Sequence, residues 1–453
     1  MVIMAVRKPI RAHARAASHP AWPPPTTTTS HSLCIDTIVS GQTHLKILLI
    51  GSGGREHALG WRLKSSPSVQ EVHAAPGNPG LGTLATLHSD RDYVELARSV
   101  AADLTVVGPE APLVAGIVDR FRAEKMPIVG PTGENARLEG SKVHSKIFMQ
   151  KLGIPTARFA PVATKHEALD ALKVFRLPVV LKTDGLAAGK GVIIATTPAE
   201  ARAAIQTLPC PLVIEEYLEG EEVSFIALCD GRTAVPLEPS QDHKRVFDND
   251  EGPNTGGMGA YSDSLLLTEA ERLRILETIV NPAVRATGFT GFLYAGLMMT
   301  PEGPSVLEFN VRMGDPETQP LMMRLESDWG EALMAAAQGT LRPEHLQWSA
   351  EPAACVVLAS HGYPGEYATG LKITGIEDVN NAQVFQAGTR HSLEGDLLTA
   401  GGRVLGVTAR GANLKAALDN AYAAVGRIGF EGMQYRKDIG FRGLKRYNDV
   451  TGT

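Results

Sequence analysis

The stretch Leu45-Lys46-Ile47-Leu48-Leu49-Ile50-Gly51-Ser52-Gly53-Gly54-Arg55-Glu56 decides the fold. A short apolar run meets a glycine turn, and helix-forming sequence follows to about Lys64. That order is strand, turn, helix. The pattern returns: strands fit Val69–Ala74, Asp103–Val107 and Pro127–Val129, each followed by Gly or Pro, with helical sequence such as Leu113–Glu124 between them. Alternating short strands and helices predict a doubly wound parallel sheet, whose ligands lie beyond the carboxyl ends of the strands.

Beyond it, Glu134–Leu152 reads as a helix leading into a second unit. Strands are expected at Val179–Thr183, Gly191–Ile194, Pro211–Tyr217, Val223–Cys229, Thr290–Met299 and Ser305–Phe309, with helices at Pro198–Thr207 and Leu267–Arg285. Leu341–Pro352 reads as a linker to a third unit. That unit has strands at Ala354–Ser360 and Val404–Ala409, and a helix whose apolar face carries Leu414, Ala417, Leu418, Ala421, Tyr422 and Val425.

The 453 residues, 43% hydrophobic and 21% charged, exclude a mainly disordered chain. No apolar run approaches the roughly 20 residues that span a bilayer. A net charge of −5 offers no general attraction for nucleic acid. Cys34, Cys210, Cys229 and Cys355 lack the paired spacing of a zinc site and read as incidental thiols of a reducing compartment. The first 45 residues stand apart: Arg7, Lys8, Arg11 and Arg15 face only Asp36, and a Pro23–Pro25 run precedes hydroxyl-rich sequence. Disorder is expected there. The composition is also that of an organellar transit peptide, and the reading preferred is a start-site extension without chemistry.

The 46 glycines cluster. Gly51–Gly54 resembles a dinucleotide fingerprint, but Glu56 stands where a third glycine belongs. Amides at a helix start suit a phosphate, with Arg55 and His57 to assist; a purely structural tight turn explains the motif equally. Lys182-Thr183-Asp184-Gly185-Leu186-Ala187-Ala188-Gly189-Lys190-Gly191 lies between strands and lacks Walker A spacing. It reads as a flexible hairpin able to close over a triphosphate, with two lysines as point charges. In Glu308-Phe309-Asn310-Val311-Arg312, alternation puts Glu308, Asn310 and Arg312 on one face. A carboxylate beside an amide oxygen suits Mg²⁺, and Arg312 suits an acyl phosphate. Ser240–Arg245 and Gly252–Gly259 read together as an active-site loop with glycine hinges.

In order along the chain, GSGGREHAL, PGNPG, VGPEAPL, KTDGLAAGKGV, SQDHKRV, GPNTGGMGAYS, EFNVRMGDPETQP and GGRVLGV resemble the phosphoribosylamine–glycine ligase family of ATP-grasp enzymes. The resemblance runs from about Lys46 to Leu444. It implies a preATP-grasp domain over 46–148, an ATP-grasp domain over 149–348 with a mobile lid at about 165–240, and a small C-terminal α+β domain over 349–447. A leader of 1–45 and a tail of 448–453 flank them. ATP would lie among Lys182, Lys190, Glu215, Glu216, Tyr217 and Leu218, with Glu222 on the ribose. Glu308 and Asn310 would hold Mg²⁺ or Mn²⁺. Gly51, Gly53, Gly54, Arg55, Gly77 and Asn78 would meet 5-phosphoribosylamine, and Asp242 and Arg312 would meet glycine; Arg312, Asp242 and Lys190 would carry catalysis. The resemblance implies a cytoplasmic enzyme (organellar, should the leader be a transit peptide), expected as a monomer without nucleic-acid or membrane partners. Two departures are a short loop at Gln206–Pro211 and Met313 where the family more often has an aromatic residue. A carboxylase component, a non-catalytic nucleotide-binding regulator and an RNA-binding protein are the rival readings; the last is disfavoured by acidity and 6% aromatics.

Overall fold

Two-sided burial explains why the first strand is so apolar. In the computed structural model, which describes residues 44–186 and 191–451 and side chains as far as 446, β1 (Leu45–Gly51) is central in a sheet with β2 (Val69–Pro76), β3 (Thr86–Leu87), β4 (Leu104–Val107) and β5 (Ile128–Val129). The order is β3-β2-β1-β4-β5 and every pairing is parallel, as expected. Leu48 and Ile50 enter one core, Ile47 and Leu49 the other. A sheet covered on both faces needs such a run. Helix α1 (Gly54–Lys64) packs Ala58, Leu59 and Leu63 into the second core.

The expected leader lies outside the described residues but for its last two, and Leu45 already belongs to β1. Lys190 also lies outside them. Two expected helices are each a pair. Leu113–Glu124 divides into Glu110–Val114 and Ile117–Ala123 at Gly116, whose φ of 80° suits glycine. Glu134–Leu152 divides into Gly133–Gly140 and Lys142–Leu152, where the Ser141 hydroxyl accepts from the His144 amide and caps the second. Leu267–Arg285 is helical from Glu269 to Thr287 with a π turn at Leu276–Val280. Pro282 has no amide to donate, and the Asn281 amide reaches back to the Leu276 carbonyl.

A small antiparallel sheet follows, ordered β6-β9-β7-β8 from β6 (Phe159–Val162), β7 (Val179–Thr183), β8 (Val192–Ala195) and β9 (Leu212–Glu216). Helices Lys165–Leu172 and Pro198–Thr207 complete its own core, with Val162, Ala168, Leu181, Ala204 and Ile214 inside. This unit spans 159–216, so the lid expected at 165–240 is corrected: residues 221–240 belong to the large sheet. The short 206–211 connection is bound down. The Asp184 amide donates to the Pro211 carbonyl and the Thr183 hydroxyl to the Pro209 carbonyl.

The remaining strands are β10 (Glu221–Asp230), β11 (Ala234–Pro236), β12 (Ser240–Asp242), β13 (Arg245–Phe247), β14 (Glu251–Asn254), β15 (Gly259–Ser262), β16 (Thr290–Thr300) and β17 (Gly303–Asn310). After them come β18 (Ala353–Ser360), β19 (Gln383–Gln386), β20 (Thr389–His391), β21 (Leu397–Thr399), β22 (Arg403–Arg410) and β23 (Met433–Gln434). One sheet runs β17-β16-β10-β12-β15-β18-β22-β19. The boundary drawn at 349 therefore divides the sequence but not the sheet, because β15 pairs with β18 from Gly259↔Val356 to Ser262↔Ala353. Helix Leu414–Val425 covers this end with the predicted apolar face. The last helix, Phe441–Thr451, occupies part of the expected tail. Among the described residues no helix is long and apolar enough to cross a membrane.

His57 joins the two ends. Its Nδ1 accepts the Gln386 amide at 2.8 Å, and its ring meets Phe385 edge-on. Burial pulls its pKa from 6.5 down to about 4. The folded protein thus holds fewer protons than the unfolded chain between those values, and stability present above pH 6.5 is lost as pH falls toward 4. His57→Gln keeps an acceptor without titrating. Denaturant midpoints at pH 7 and pH 4 should show the variant losing less stability than the wild type, by on the order of 1–3 kcal/mol.

Candidate active site

Strand pairing assembles one polar face. Ser224 on β10 lies opposite Gly296 on β16, which lies opposite Glu308 on β17; on its other side Ser224 faces Ser240 on β12. Residues two apart share a side, so Glu222, Asp242, Tyr294, Glu308 and Asn310 join this face. Val223, Phe225, Ala295, Leu297 and Phe309 point into the core behind it.

Charge on this face is mixed. Lys244 Nζ lies 2.6 Å from Glu222 Oε2. Burial opposes its charge, but Glu222 and Asp242 hold it protonated well above the ordinary lysine range. Burial also disfavours the Glu308 carboxylate, yet Lys244, Lys182, Lys142 and Arg312 keep it below the usual glutamate value. Asp242 is pushed up to about 7 by burial, with Glu317, Glu222 and Glu308 adding to this against Lys244. Tyr294 donates to Glu317 Oε1 at 2.9 Å, beside Ser224.

Above this face the small sheet contributes Lys182 and Glu215. Lys182 Nζ is 3.0 Å from Glu215 Oε2 and 3.1 Å from the Leu307 carbonyl, which ties β7 to β17. Sequence reading missed Lys146, whose Nζ lies 2.8 Å from the same Glu215 oxygen. Burial lowers its pKa to about 8 against the pull of Glu215. Its only signal was its place four residues after Lys142, one turn along the helix Lys142–Leu152. Lys142 itself donates to the Gly185 carbonyl. Glu216 does not join this group; its carboxylate caps the Arg158 amide. Tyr217 is exposed, and Leu218 follows in the connection to β10.

Arg312 is more committed than expected. Glu139 Oε1 lies 2.7 Å from its Nη2 and Glu110 Oε2 3.3 Å from its Nε, while Nη2 also reaches Asn310 Oδ1 at 3.3 Å. Glu139 Oε2 accepts the Val311 amide as well. Burial is outweighed by these carboxylates, so the guanidinium is held above its usual range.

The glycine turn also differs from expectation. Glu56 is buried inside it, accepting the Gly53 amide and the Arg55 Nε, each at 2.5 Å. Gly51, at φ 129°, has no room for a Cβ, which would sit 2.5 Å from Glu56 Cγ. Gly51 thus makes space for a side chain rather than for a ligand. Gly77 packs under Leu87. The Asn78 amide group donates to the Ser52 and Gln386 carbonyls, both at 2.8 Å, and its oxygen accepts from Leu81. It braces the turn against β19. Ser52 is exposed, whereas Cβ atoms on Gly53 and Gly54 would meet Glu56 Oε2 at 2.9 Å and Gln319 Nε2 at 2.8 Å, with Asp315 beside both, and Arg55 Nη1 donates to the Met313 carbonyl.

No group of three or more His, Cys, Asp and Glu side chains among the described residues could hold a metal. Glu308 and Asn310 offer only one carboxylate and one amide oxygen. That donor set fits a hard divalent cation that draws its other ligands from phosphates and water.

A parallel substrate-type domain, a small two-helix sheet and a polar sheet face with paired lysines define the ATP-grasp class. Models of the phosphoribosylglycinamide synthetase domains match in order: the N domain at 45–139, the ATP-grasp (A) domain at 140–318 and the C domain at 353–442. The phosphoribosylamine–glycine ligase of Xylella fastidiosa (strain 9a5c) is 48% identical over 430 residues, 90% of this chain and 98% of that protein. The crystal structure of phosphoribosylamine–glycine ligase from Thermotoga maritima superposes with a TM-score of 0.76 at 35% identity, covering 87% of this chain and 100% of that one. The chain belongs to the phosphoribosylamine–glycine ligase family, ATP-dependent ligases of purine biosynthesis. A biotin carboxylase domain of Hydrogenobacter thermophilus 2-oxoglutarate carboxylase, solved with MgADP, ADP and bicarbonate, shares the fold alone, with a TM-score of 0.66 at 17% identity, covering 87% of this chain and 92% of that one.

Glu215 compensates two buried cations, and removing one member of a buried pair costs about 3–5 kcal/mol. Glu215→Ala should lower stability by about that much in urea titration. The double variant Glu215→Ala/Lys146→Met should recover part of it.

Proposed function

We propose that this chain joins glycine to 5-phosphoribosylamine at the expense of ATP, forming glycinamide ribonucleotide, ADP and phosphate through glycyl phosphate. The observation that carries the reading is the shared face of Glu222, Asp242, Glu308 and Asn310, roofed by Lys182 and closed at the β17 end by Arg312.

A carboxylate is a poor acyl donor, so its oxygen attacks the γ-phosphorus of ATP and ADP leaves. The amine of phosphoribosylamine then attacks the acyl carbon, the bond to phosphate breaks, and the amine nitrogen loses a proton. No protein nucleophile is needed; alignment and charge neutralisation do most of the work. ATP would lie between Lys182 with Lys190 and the segment 215–218, with Glu222 on the ribose once it parts from Lys244. Glu308 and Asn310 would hold Mg²⁺ or Mn²⁺, which supplies charge neutralisation at the phosphates when bound. Phosphoribosylamine would lie against the Gly51–Arg55 turn and the adjoining Met313–Asp315 loop, with Gly51, Gly77 and Asn78 as supports. Asp242 would take the glycine ammonium; Arg312 lends positive charge near the carboxylate. Closure of the 159–216 unit would keep water from the acyl phosphate.

A coupled assay of ADP release tests this reading: release should require both glycine and phosphoribosylamine, and bicarbonate in place of glycine should give none. Glu308→Ala should abolish ADP formation. Full glycine-dependent turnover in that variant would remove Glu308 from the metal site.

Asp242 gives the reading a pH signature. Its carboxylate loses charge as pH falls through about 7. KM for glycine should therefore climb below pH 7, by about tenfold per pH unit once protonation dominates. In Asp242→Asn the constant should be high and flat across the same range. A wild-type KM that stays level from pH 8 to 6 would take the glycine ammonium away from Asp242.

A further inference from the structure

Asp315, which sequence reading passed over, packs against the glycine turn that the proposed function gives to the second substrate. Its two oxygens come to 3.7 Å and 3.6 Å of the positions that Cβ atoms on Gly54 and Gly53 would occupy. Gln319 Nε2 donates to Oδ1 at 2.8 Å, and Arg403 Nη2 to Oδ2 at 3.0 Å. Each oxygen keeps a second lone pair for another donor. Arg403 comes from β22, at the far end of the large sheet. Its Nη1 also donates to the Asp315 carbonyl at 2.6 Å and the Gly256 carbonyl at 2.7 Å. One guanidinium thus holds the carboxylate, its own backbone and the 252–259 loop together. Arg403, Arg55 and Arg312 outweigh the burial of Asp315 and keep it ionised.

A carboxylate here cannot serve the substrate's phosphate, because like charges repel. Its complement is an N–H or O–H donor. On phosphoribosylamine those are the amine and the ribose hydroxyls, and of these the amine is the one that must reach the acyl carbon at the end of β17. An amine-free probe that keeps the ring hydroxyls separates the two. Asp315 lies three residues past Arg312, between that strand end and the glycine turn.

We propose that Asp315 accepts a hydrogen bond from the amine of 5-phosphoribosylamine, and that Arg403 is the positioning residue through which the C-terminal strands shape this site. The inference rests on the reading that phosphoribosylamine lies at the 51–55 turn.

Steady-state constants of Asp315→Asn, Arg403→Lys and Arg55→Gln test it, with 1,4-anhydroribitol 5-phosphate as a competitive probe that keeps the phosphate and ring but lacks the amine. Loss of a charge-assisted bond predicts that Asp315→Asn raises KM for phosphoribosylamine about tenfold or more. KM for ATP and glycine, and the inhibition constant of the probe, should stay within about twofold. Arg403→Lys keeps the charge but not the three-way grip, and should move the same constant in the same direction by less. Combined with Asp315→Asn it should add little, because both act on one contact. The Arg403→Lys measurement also carries the test should Asp315→Asn fold poorly. An unchanged KM for phosphoribosylamine, an equal rise for all three substrates, or a parallel weakening of the probe would each overturn the assignment. If Arg55→Gln leaves both phosphoribosylamine and the probe unaffected, the turn is the wrong location. The constants of Asp315→Asn then still decide the amine contact on their own.

Discussion

Arg312 between Glu110 and Glu139 is the contact on which the rest of the site depends. Glu110 begins a helix of the parallel domain, Glu139 lies on the helix that leaves it, and Arg312 follows β17, an edge strand of the large sheet. Three segments of chain meet at one guanidinium. Charges this deep are costly singly, so each needs the others. The same junction carries the Val311 amide to Glu139 and Arg55 to the Met313 carbonyl. The relative placement of the parallel domain and the large sheet is therefore set by electrostatics, not only by the apolar core they share.

A second constraint is the continuity of the large sheet. Strand β18 of the C-terminal part pairs with β15, and β15 pairs with β12, the strand that carries Asp242. The C-terminal segment is thus an extension of the site's own platform. It sends Arg403 and Tyr363 back to the 252–259 loop, where the Tyr363 hydroxyl accepts the Gly256 amide. The small 159–216 sheet differs: it has a separate core, and among its ties to the large sheet is the bond from Lys182 to the Leu307 carbonyl.

The glycines divide by purpose. Gly51 yields space to Glu56, Gly296 lies within van der Waals reach of Glu308, and Gly53 and Gly54 let Glu56 and Gln319 pack close beside Asp315. A missing Cβ looks the same in sequence whether a ligand or a buried side chain fills the space. Only the fold tells them apart. The same limit explains Asn78, whose donors and acceptor are consumed by backbone groups far away in the chain.

Local chemistry by itself determined the parallel first domain, the β7–β8 hairpin, strand β17 with its polar end and the polar 240–245 segment. Each is written in residues close together, where periodicity and turn chemistry act. Glu308 and Asn310 were legible because alternation over three residues puts them on one face. Tertiary structure decided what depends on distant partners: that Lys146 shares Glu215 with Lys182, that Arg312 is clamped twice, that β15 pairs with β18, and that Arg403 reaches Asp315. Buried charges are assigned partners by packing, and packing joins segments 33 to more than 200 residues apart in the chain.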